Sequence, residues 1–324
     1  EKNTPNLNYD VPIQESLVNK LEKLPVELLP EKPNHPSAEG EYTIEELREN
    51  IPDGKIVACD FYLQDVEKGE ANGFGFIKEE GGIINIDHHA PVAEMTRLIS
   101  STDLAIQYVK EKGVMVPPVH VVVSHTDCDS VLSSLIARGI LAPEDRFGMA
   151  AIAADHTGVK NEIADLLQSL GERRDISFSL RNLEKLLSGK PIEDEAKQLL
   201  EKRYKDRETA FEIVAGGKFE KIGDVYFTSM KDKIDGGLLP SLIPDAAVIL
   251  MGSPLKDDPN RWEIKVRLGM NAPEGVSLDD LNLPNFGGRW NAGNTKRKGG
   301  TEFTPEEYAA LINKKLLEIL KTKE

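Results

Sequence analysis

Four short segments of this sequence end an apolar run with acids or histidines. They are IVACD at Asp60, IINIDHH at Asp87, His88 and His89, VVVSHTDCDS at His125, Asp127 and Asp129, and AAIAADHTG at Asp155 and His156. Five of the six histidines in the chain fall between positions 88 and 156. Carboxylates crowded into one crevice repel one another and take up protons unless a cation offsets them, and a mixed carboxylate and imidazole set is a natural cage for a hard or borderline divalent metal. Oxygen ligands dominate and thiolates are not prominent, which favours Mn or Mg, with Fe or Co behind them, over a structural zinc site. The candidates exceed what a single octahedral ion needs, so the pattern calls for two divalent cations, bridged by a carboxylate and a water. In HTDCDS the alternate residues of an extended strand end point to opposite sides and can serve different ions.

Each segment alone has a plainer reading. Asp129 with Ser130 makes a good N-cap before VLSSLIARG, Asp60 can simply end its strand, and His156 can be a surface residue. What favours a metal centre is the coincidence of these strand and helix ends in one predicted sheet domain. Lone His35 and His120 keep a structural reading.

The elements that must position these groups show in the hydrophobic pattern. KIVACD, GFGFIKEE, GGIINID and VHVVVSHTD read as strands, and TRLISSTDLAIQYVKEKG and SVLSSLIARGI as helices. Alternation of this kind, with β-branched runs lacking a polar face, predicts an α/β fold with a mainly parallel sheet covered on both sides by helices. The carboxyl ends of such strands share one crevice, so groups far apart in sequence can meet there. Helical periodicity continues from RFGMAAIAAD through the long run IEDEAKQLLEKRYKDRETAFEIVAGG. After AGGKFEKIGD the pattern returns to strands (DVYFTSM, AAVILMGSP, RWEIKVRLGM). The division predicted is an N-terminal arm over 1–54, a metal-binding catalytic domain over 55–217, and a smaller α/β substrate-binding domain over 218–324. The closing helix TPEEYAALINKKLLEILK has Thr304 as N-cap and Pro305 at its first position.

In NFGGRWNAGNTKRKGG, the glycines Gly287 and Gly288 let backbone approach a phosphate, while Arg289, Lys296, Arg297 and Lys298 supply positive charge. Charge is otherwise scarce in that sign: 55 acids against 40 bases leave a formal charge of -15 in 324 residues. That balance argues against duplex nucleic acid and anionic membranes as partners, and leaves a small phosphorylated substrate. No apolar run approaches the ~20 residues of a membrane span, which gives a cytoplasmic reading. The two cysteines, Cys59 and Cys128, are too few for a disulfide framework and read as reduced, buried thiols. A homodimer is compatible with all of this.

At the metal-ligand candidates the sequence resembles the DHH phosphoesterase superfamily, which includes manganese-dependent family II pyrophosphatases, exopolyphosphatases, exonucleases and nano-RNA or cyclic-dinucleotide phosphodiesterases. The name motif stands at Asp87, His88 and His89, the aspartate pair followed by a serine and a helix at HTDCDSVLSSL, the isolated strand-end aspartate at Asp60, and the late aspartate before Thr and Gly near AADHTG, at Asp155. SSTDLAIQYV is similar to the helix start that follows in the family, and NFGGRWNAG resembles its glycine-rich substrate segment, with Arg289 where histidine is common. The motif order differs, because here HTDCDS follows DHH. A rewired sheet accommodates this, since ligands at strand ends depend on spatial and not chain order.

The resemblance implies a metal-dependent phosphohydrolase acting on a small phosphoester or phosphoanhydride, such as a nucleotide or short oligonucleotide. It places His125 and Asp127 on one ion, His88, Asp129 and Asp155 on the other, and Asp60 between them. A water shared by the ions attacks phosphorus, His89 faces the substrate as acid or hydrogen-bond donor, and Asp87 orients a histidine. The alternatives are a manganese-dependent pyrophosphatase or exopolyphosphatase and, in another class, a non-catalytic nucleotide or metal sensor.

Overall fold

The computed structural model describes residues 15–30, 42–64, 76–89, 98–230 and 234–323; His35 lies outside them. In chain order the elements are α1 (Leu17–Lys23), β1 (Glu27–Leu28), α2 (Ile44–Asn50), β2 (Ile56–Cys59), β3 (Phe76–Glu80), β4 (Ile83–Asp87), α3 (Ser101–Lys112), β5 (His120–Val123), α4 (Cys128–Ala137), α5 (Asp145–Ile152), α6 (Glu162–Leu170), α7 (Ile176–Leu187) and α8 (Asp194–Ala215). Then follow β6 (Glu220–Ile222), β7 (Val225–Ser229), β8 (Val248–Pro254), β9 (Trp262–Leu268), β10 (Gly287–Gly288), β11 (Ala292–Asn294) and α9 (Pro305–Lys323).

The class is α/β, as the alternation predicts. The first sheet runs β1-β5-β2-β4-β3, parallel except for β3. Strands β2 and β4 are buried along their whole length, the burial of strands covered on both faces. Because β5, β2 and β4 are parallel neighbours, their carboxyl ends open on one edge. HTDCDS follows β5, Asp60 follows β2 and the double histidine follows β4, so the altered motif order still delivers all three to the same rim. Residues 27–28 pair in parallel with β5, and Leu47 of α2 is fully buried in the main core. Part of the stretch expected to be an arm is therefore an edge strand and a wall of the first domain.

The second sheet runs β10-β11-β9-β8-β7-β6, parallel only between β7 and β8. It is wider than the three strands legible in sequence, because β6, β10 and β11 are too short to show periodicity. Its core joins Val225, Val248 and Val266 to Tyr308 and Ile312 of α9. Thr304 and Glu307 cap that helix reciprocally, Glu307 N donating to Thr304 Oγ1 at 3.2 Å and Thr304 N to Glu307 Oε2 at 2.8 Å. Cys59 and Cys128 are free and buried. His120 pairs with Glu27 at 2.7 Å, joining β5 to β1. No helix among the described residues is long and apolar enough to cross a membrane.

Candidate metal centre

Asp60 stands just past β2 with φ of 60°, a left-handed backbone that a non-glycine residue holds only when its surroundings fix it. They do. Asp60 N donates to Ile86 O at 2.9 Å. Asn85, buried on β4, donates Nδ2 to the carbonyls of Ala58 and Phe61 at 3.3 and 2.9 Å and accepts from Leu63 N at 3.4 Å. The carboxylate is aimed by two hydroxyls, Ser101 Oγ donating to Oδ1 at 2.9 Å and Ser130 Oγ to Oδ2 at 2.7 Å.

Its two oxygens face different histidines. Oδ1 lies 3.6 Å from His88 Nε2, and Oδ2 lies 3.3 Å from His125 Nε2. One donor set comprises Asp60, His88, His89 and Asp155, the other Asp60, His125 and Asp127, each with ligand atoms within 4.8 Å of one another. Asp60 belongs to both.

The tautomers follow from the hydrogen bonds. His88 Nδ1 lies 2.8 Å from the carbonyl of Ile99, which can only accept, so Nδ1 carries the hydrogen and Nε2 presents a lone pair. That Nε2 is buried without a hydrogen-bond partner among the described residues, 3.3 Å from Asp155 Oδ2 and 3.5 Å from Asp129 Oδ2. Burial opposes a charge there, yet Asp155, Asp129 and Asp60 overcome it and raise the pKa to about 10. A proton drawn that strongly to a ligand atom marks a place for a cation. His125 is raised in the same way, against its burial, by Asp127 and Asp60. Asp127 also caps α4, accepting from Ser130 N at 3.0 Å. The His125 charge outweighs burial and holds its carboxyl well below the usual range.

Three residues depart from the sequence expectations. His89 donates Nδ1 to Asp87 Oδ1 at 2.7 Å while its backbone N reaches Asp87 Oδ2 at 2.9 Å. Burial and then the Arg289 charge push its pKa far down. Its buried Nε2 has no hydrogen-bond partner among the described residues, and the ring is held neutral, as a ligand's would be. Asp129 accepts Ser101 N at 2.8 Å, Thr102 N at 2.7 Å and Thr102 Oγ1 at 2.5 Å, so its carboxylate caps α3 beside the donor sets and belongs to neither. Burial, followed by the Asp60 charge, raises its pKa well above normal. The α4 cap is Asp127 and not Asp129. His156 is buried, not on the surface. Its Nε2 donates to Ile99 O at 2.9 Å, and burial with the His88 charge keeps it neutral, its pKa lowered to about 3.

Asp155 comes from a π-helical turn, Ala153–Thr157, that continues α5, a widening of the helix often found at functional sites. Its pKa falls to about 2 because the close His88 ring, with Nε2 3.3 Å away, outweighs burial and the nearby Asp127. The turn is braced from β9, where Arg267 Nη1 donates to Asp155 O at 2.7 Å, and the double histidine from the β10–β11 loop, where Trp290 Nε1 donates to His88 O at 3.4 Å.

The glycine-rich segment forms the β10–β11 hairpin, closed by Arg289 N donating to Ala292 O at 2.7 Å. A Cβ on Gly288 would stand 2.3 Å from Gly293 Cα, so the strands approach this closely only with glycine. Gly287 lies against Arg297, where an added Cβ would meet the Arg297 Cβ at 3.0 Å. Arg289 and Arg297 line a cavity of about 250 Å³ with Lys265 and Arg267. Lys296 instead pairs with Glu263 at 3.8 Å and lines a separate cleft, and Lys298 is exposed in the following turn. The basic run therefore divides, with two members on the cavity and two facing away.

Solved structures that resemble the chain include the following two. The pGpG-specific phosphodiesterase PggH from Vibrio cholerae aligns with a TM-score of 0.41 and 9% identity over 68% of this chain and 96% of that one. An exopolyphosphatase-related protein from Bacteroides fragilis aligns with a TM-score of 0.37 and 14% identity over 86% of this chain and 76% of that one. No protein-family model and no curated protein matches the chain. The chemistry of the site rests on its own donor atoms.

Arg267, Ser101, Ser130 and Asn85 were not legible as site residues. Arg267 alternates with Lys265 and Glu263 on β9, the pattern of a solvated face, and only the docking of β9 against the π-helical turn gives it a role. Ser101 and Ser130 each lie beside a motif residue or in a helix start, where a serine reads as a cap.

Proposed function

We propose that the chain is a metal-dependent phosphohydrolase of the DHH type that its motifs resemble, acting on a small phosphoester or phosphoanhydride. The observation that carries this reading is Asp60, one carboxylate shared by two donor sets, with Nε2 of His88 presented to one of its oxygens and Nε2 of His125 to the other. The donor set fits hard or borderline divalent cations, Mn first and Mg or Co next, since it contains only carboxylate oxygen and imidazole nitrogen. His88, His89 and Asp155 with Asp60 would hold one ion, and His125 and Asp127 with Asp60 the other. Bound there, the ions supply Lewis acidity and bring the ionisation of water near neutral pH.

The chain's own residues do the rest. Asp87 fixes the ring of His89, and Ser101 and Ser130 fix the carboxylate of Asp60, so the ligands are oriented before anything binds. The charge of Arg289 reaches both His89 and Asp155, which supports a role for its guanidinium beside the phosphoryl group of a bound substrate. Together with Arg267 it would offset the charge of the phosphoryl oxygens. A pyrophosphatase is the second reading, favoured by the four cationic side chains on one cavity.

The test is to strip the purified protein with chelator, restore Mn, Mg or Co singly, and follow phosphate from pyrophosphate and, by chromatography, mononucleotide or linear dinucleotide from dinucleotides and cyclic dinucleotides. Metal-restored turnover of one of these is expected. Turnover indifferent to chelator, or none on any substrate, would remove the reading.

A further inference from the structure

A second cleft, of about 330 Å³, adjoins the centre through His156, Trp290 and Arg267. Its other walls are mainly apolar, with Leu268, Met270 and Val276 among them. Trp290 and His156 turn their rings to each other at 5.9 Å and 37°, and both bear on the metal centre. Trp290 donates to His88 O, and His156 packs edge-on against the His88 ring at 5.3 Å.

One polar group in this lining is left over. Asn291 is 6% exposed, and its Oδ1 has no partner among the described residues. The amide orientation is dictated by its neighbour. Because His156 gives its Nε2 hydrogen to Ile99 O, its Nδ1 can only accept, and Asn291 Nδ2 supplies that hydrogen at 3.4 Å. The Asn291 carbonyl is thus the end left without a donor, and a buried acceptor without a donor is costly.

We propose that this cleft is a base pocket: it receives the heterocycle of a nucleotide substrate, laid along Trp290, with a ring or amino N–H donated to Asn291 Oδ1. This rests on the phosphohydrolase reading and narrows its substrate class. Three features select that occupant. The aromatic wall favours a flat ring, offset or edge-on. The buried acceptor demands an N–H donor, which an aliphatic chain lacks. Arg267 lines this cleft and the cationic cavity alike, so an anion lies next to the ring, as phosphate does in a nucleotide. Inorganic pyrophosphate would leave the cleft and its acceptor unused.

The test separates ring recognition from hydrolysis. Adenosine, guanosine, cytidine and uridine, which carry no phosphate, are titrated against the full chain by tryptophan fluorescence and by calorimetry. The same is done with Asn291→Leu and Met270→Glu; Met270 is 49% exposed, so its variant folds even where the first does not. Saturable, base-dependent binding is expected, weakened at least about tenfold in each folded variant, with a matching rise in KM for dinucleotides. Absence of nucleoside binding, or binding and dinucleotide KM unchanged in both variants, overturns the pocket. Nucleoside binding without hydrolysis of any substrate, to phosphate or to mononucleotide, overturns the phosphohydrolase reading and leaves the pocket standing.

Discussion

Asp60 Oδ1 lies 3.6 Å from His88 Nε2 across two neighbouring parallel strands, both side chains buried. The histidine's other nitrogen is committed to a backbone carbonyl, so the pair offers a lone pair and a carboxylate oxygen to whatever cation sits between them. Removing either should empty the centre and leave the fold.

Asp60→Asn keeps the shape of the side chain and halves its capacity to serve two ions. Metal content by mass spectrometry should fall, and metal-restored phosphate release should drop by at least about 100-fold. Full metal content with full turnover in this variant would take Asp60 out of the centre.

Asp87→Asn acts through another residue. The carboxylate accepts from both Nδ1 and the backbone N of His89, so the amide should free the ring to turn and weaken metal affinity by about 10- to 100-fold. Competition against a fluorescent chelator measures it, and an unchanged affinity would show that His89 needs no such support.

In the metal-free protein, pH should act through His88. Its pKa is raised to about 10, so the stability it contributes is complete below the unfolded value near 6.5 and is lost as pH climbs towards 10. Asp129, raised as well, pushes the same way at lower pH. Asp155 and Asp127, both lowered, act in the opposite sense, losing stability only as pH falls below the ordinary carboxylate range. The metal-free Tm should therefore decline from pH 7 to pH 10, and Mn binding at pH 8 should release protons, read from the buffer dependence of the calorimetric heat. A flat Tm together with no proton release would contradict this protonation.

Gly288→Ala should damage the hairpin that carries Arg289. The new Cβ meets backbone, Gly293 Cα at 2.3 Å and Ala292 O at 2.5 Å, and backbone cannot yield as a side-chain tip can. A loss of about 1–3 kcal/mol in urea unfolding is expected, with KM raised for any substrate turned over under the phosphohydrolase reading. A wild-type unfolding curve would mean the hairpin opens without cost.

Asp165 is fully buried on α6 and pairs with two α8 guanidiniums, Arg203 Nε at 3.1 Å and Arg207 Nη2 at 2.6 Å. Arg203 also reaches Asp235 at 3.1 Å, in the segment between β7 and β8. Asp165→Ala would leave Arg207 without its carboxylate and Arg203 with Asp235 alone, at a cost of about 3 kcal/mol. Denaturant unfolding decides it, and a shift under 1 kcal/mol, roughly that of a surface pair, would show the arginines finding other partners.

The sequence by itself determined the α/β class, the three parallel strands, and which acids and histidines end them, because a run such as IINIDHH carries burial and chemistry in adjacent letters. It also exposed the Asp127, Asp129 and Asp155 segments, since each follows an apolar stretch. Tertiary structure alone decided how those groups are used. Asp129 is engaged at the start of α3 and the His89 ring is held by Asp87, contacts between residues whose spacing has no periodic signature. The roles of Arg267, Trp290 and Asn291 likewise arise only when the second sheet docks on the first. Local pattern reports which face of an element is apolar, whereas the partner of a polar atom is set by the three-dimensional approach of chains remote in sequence.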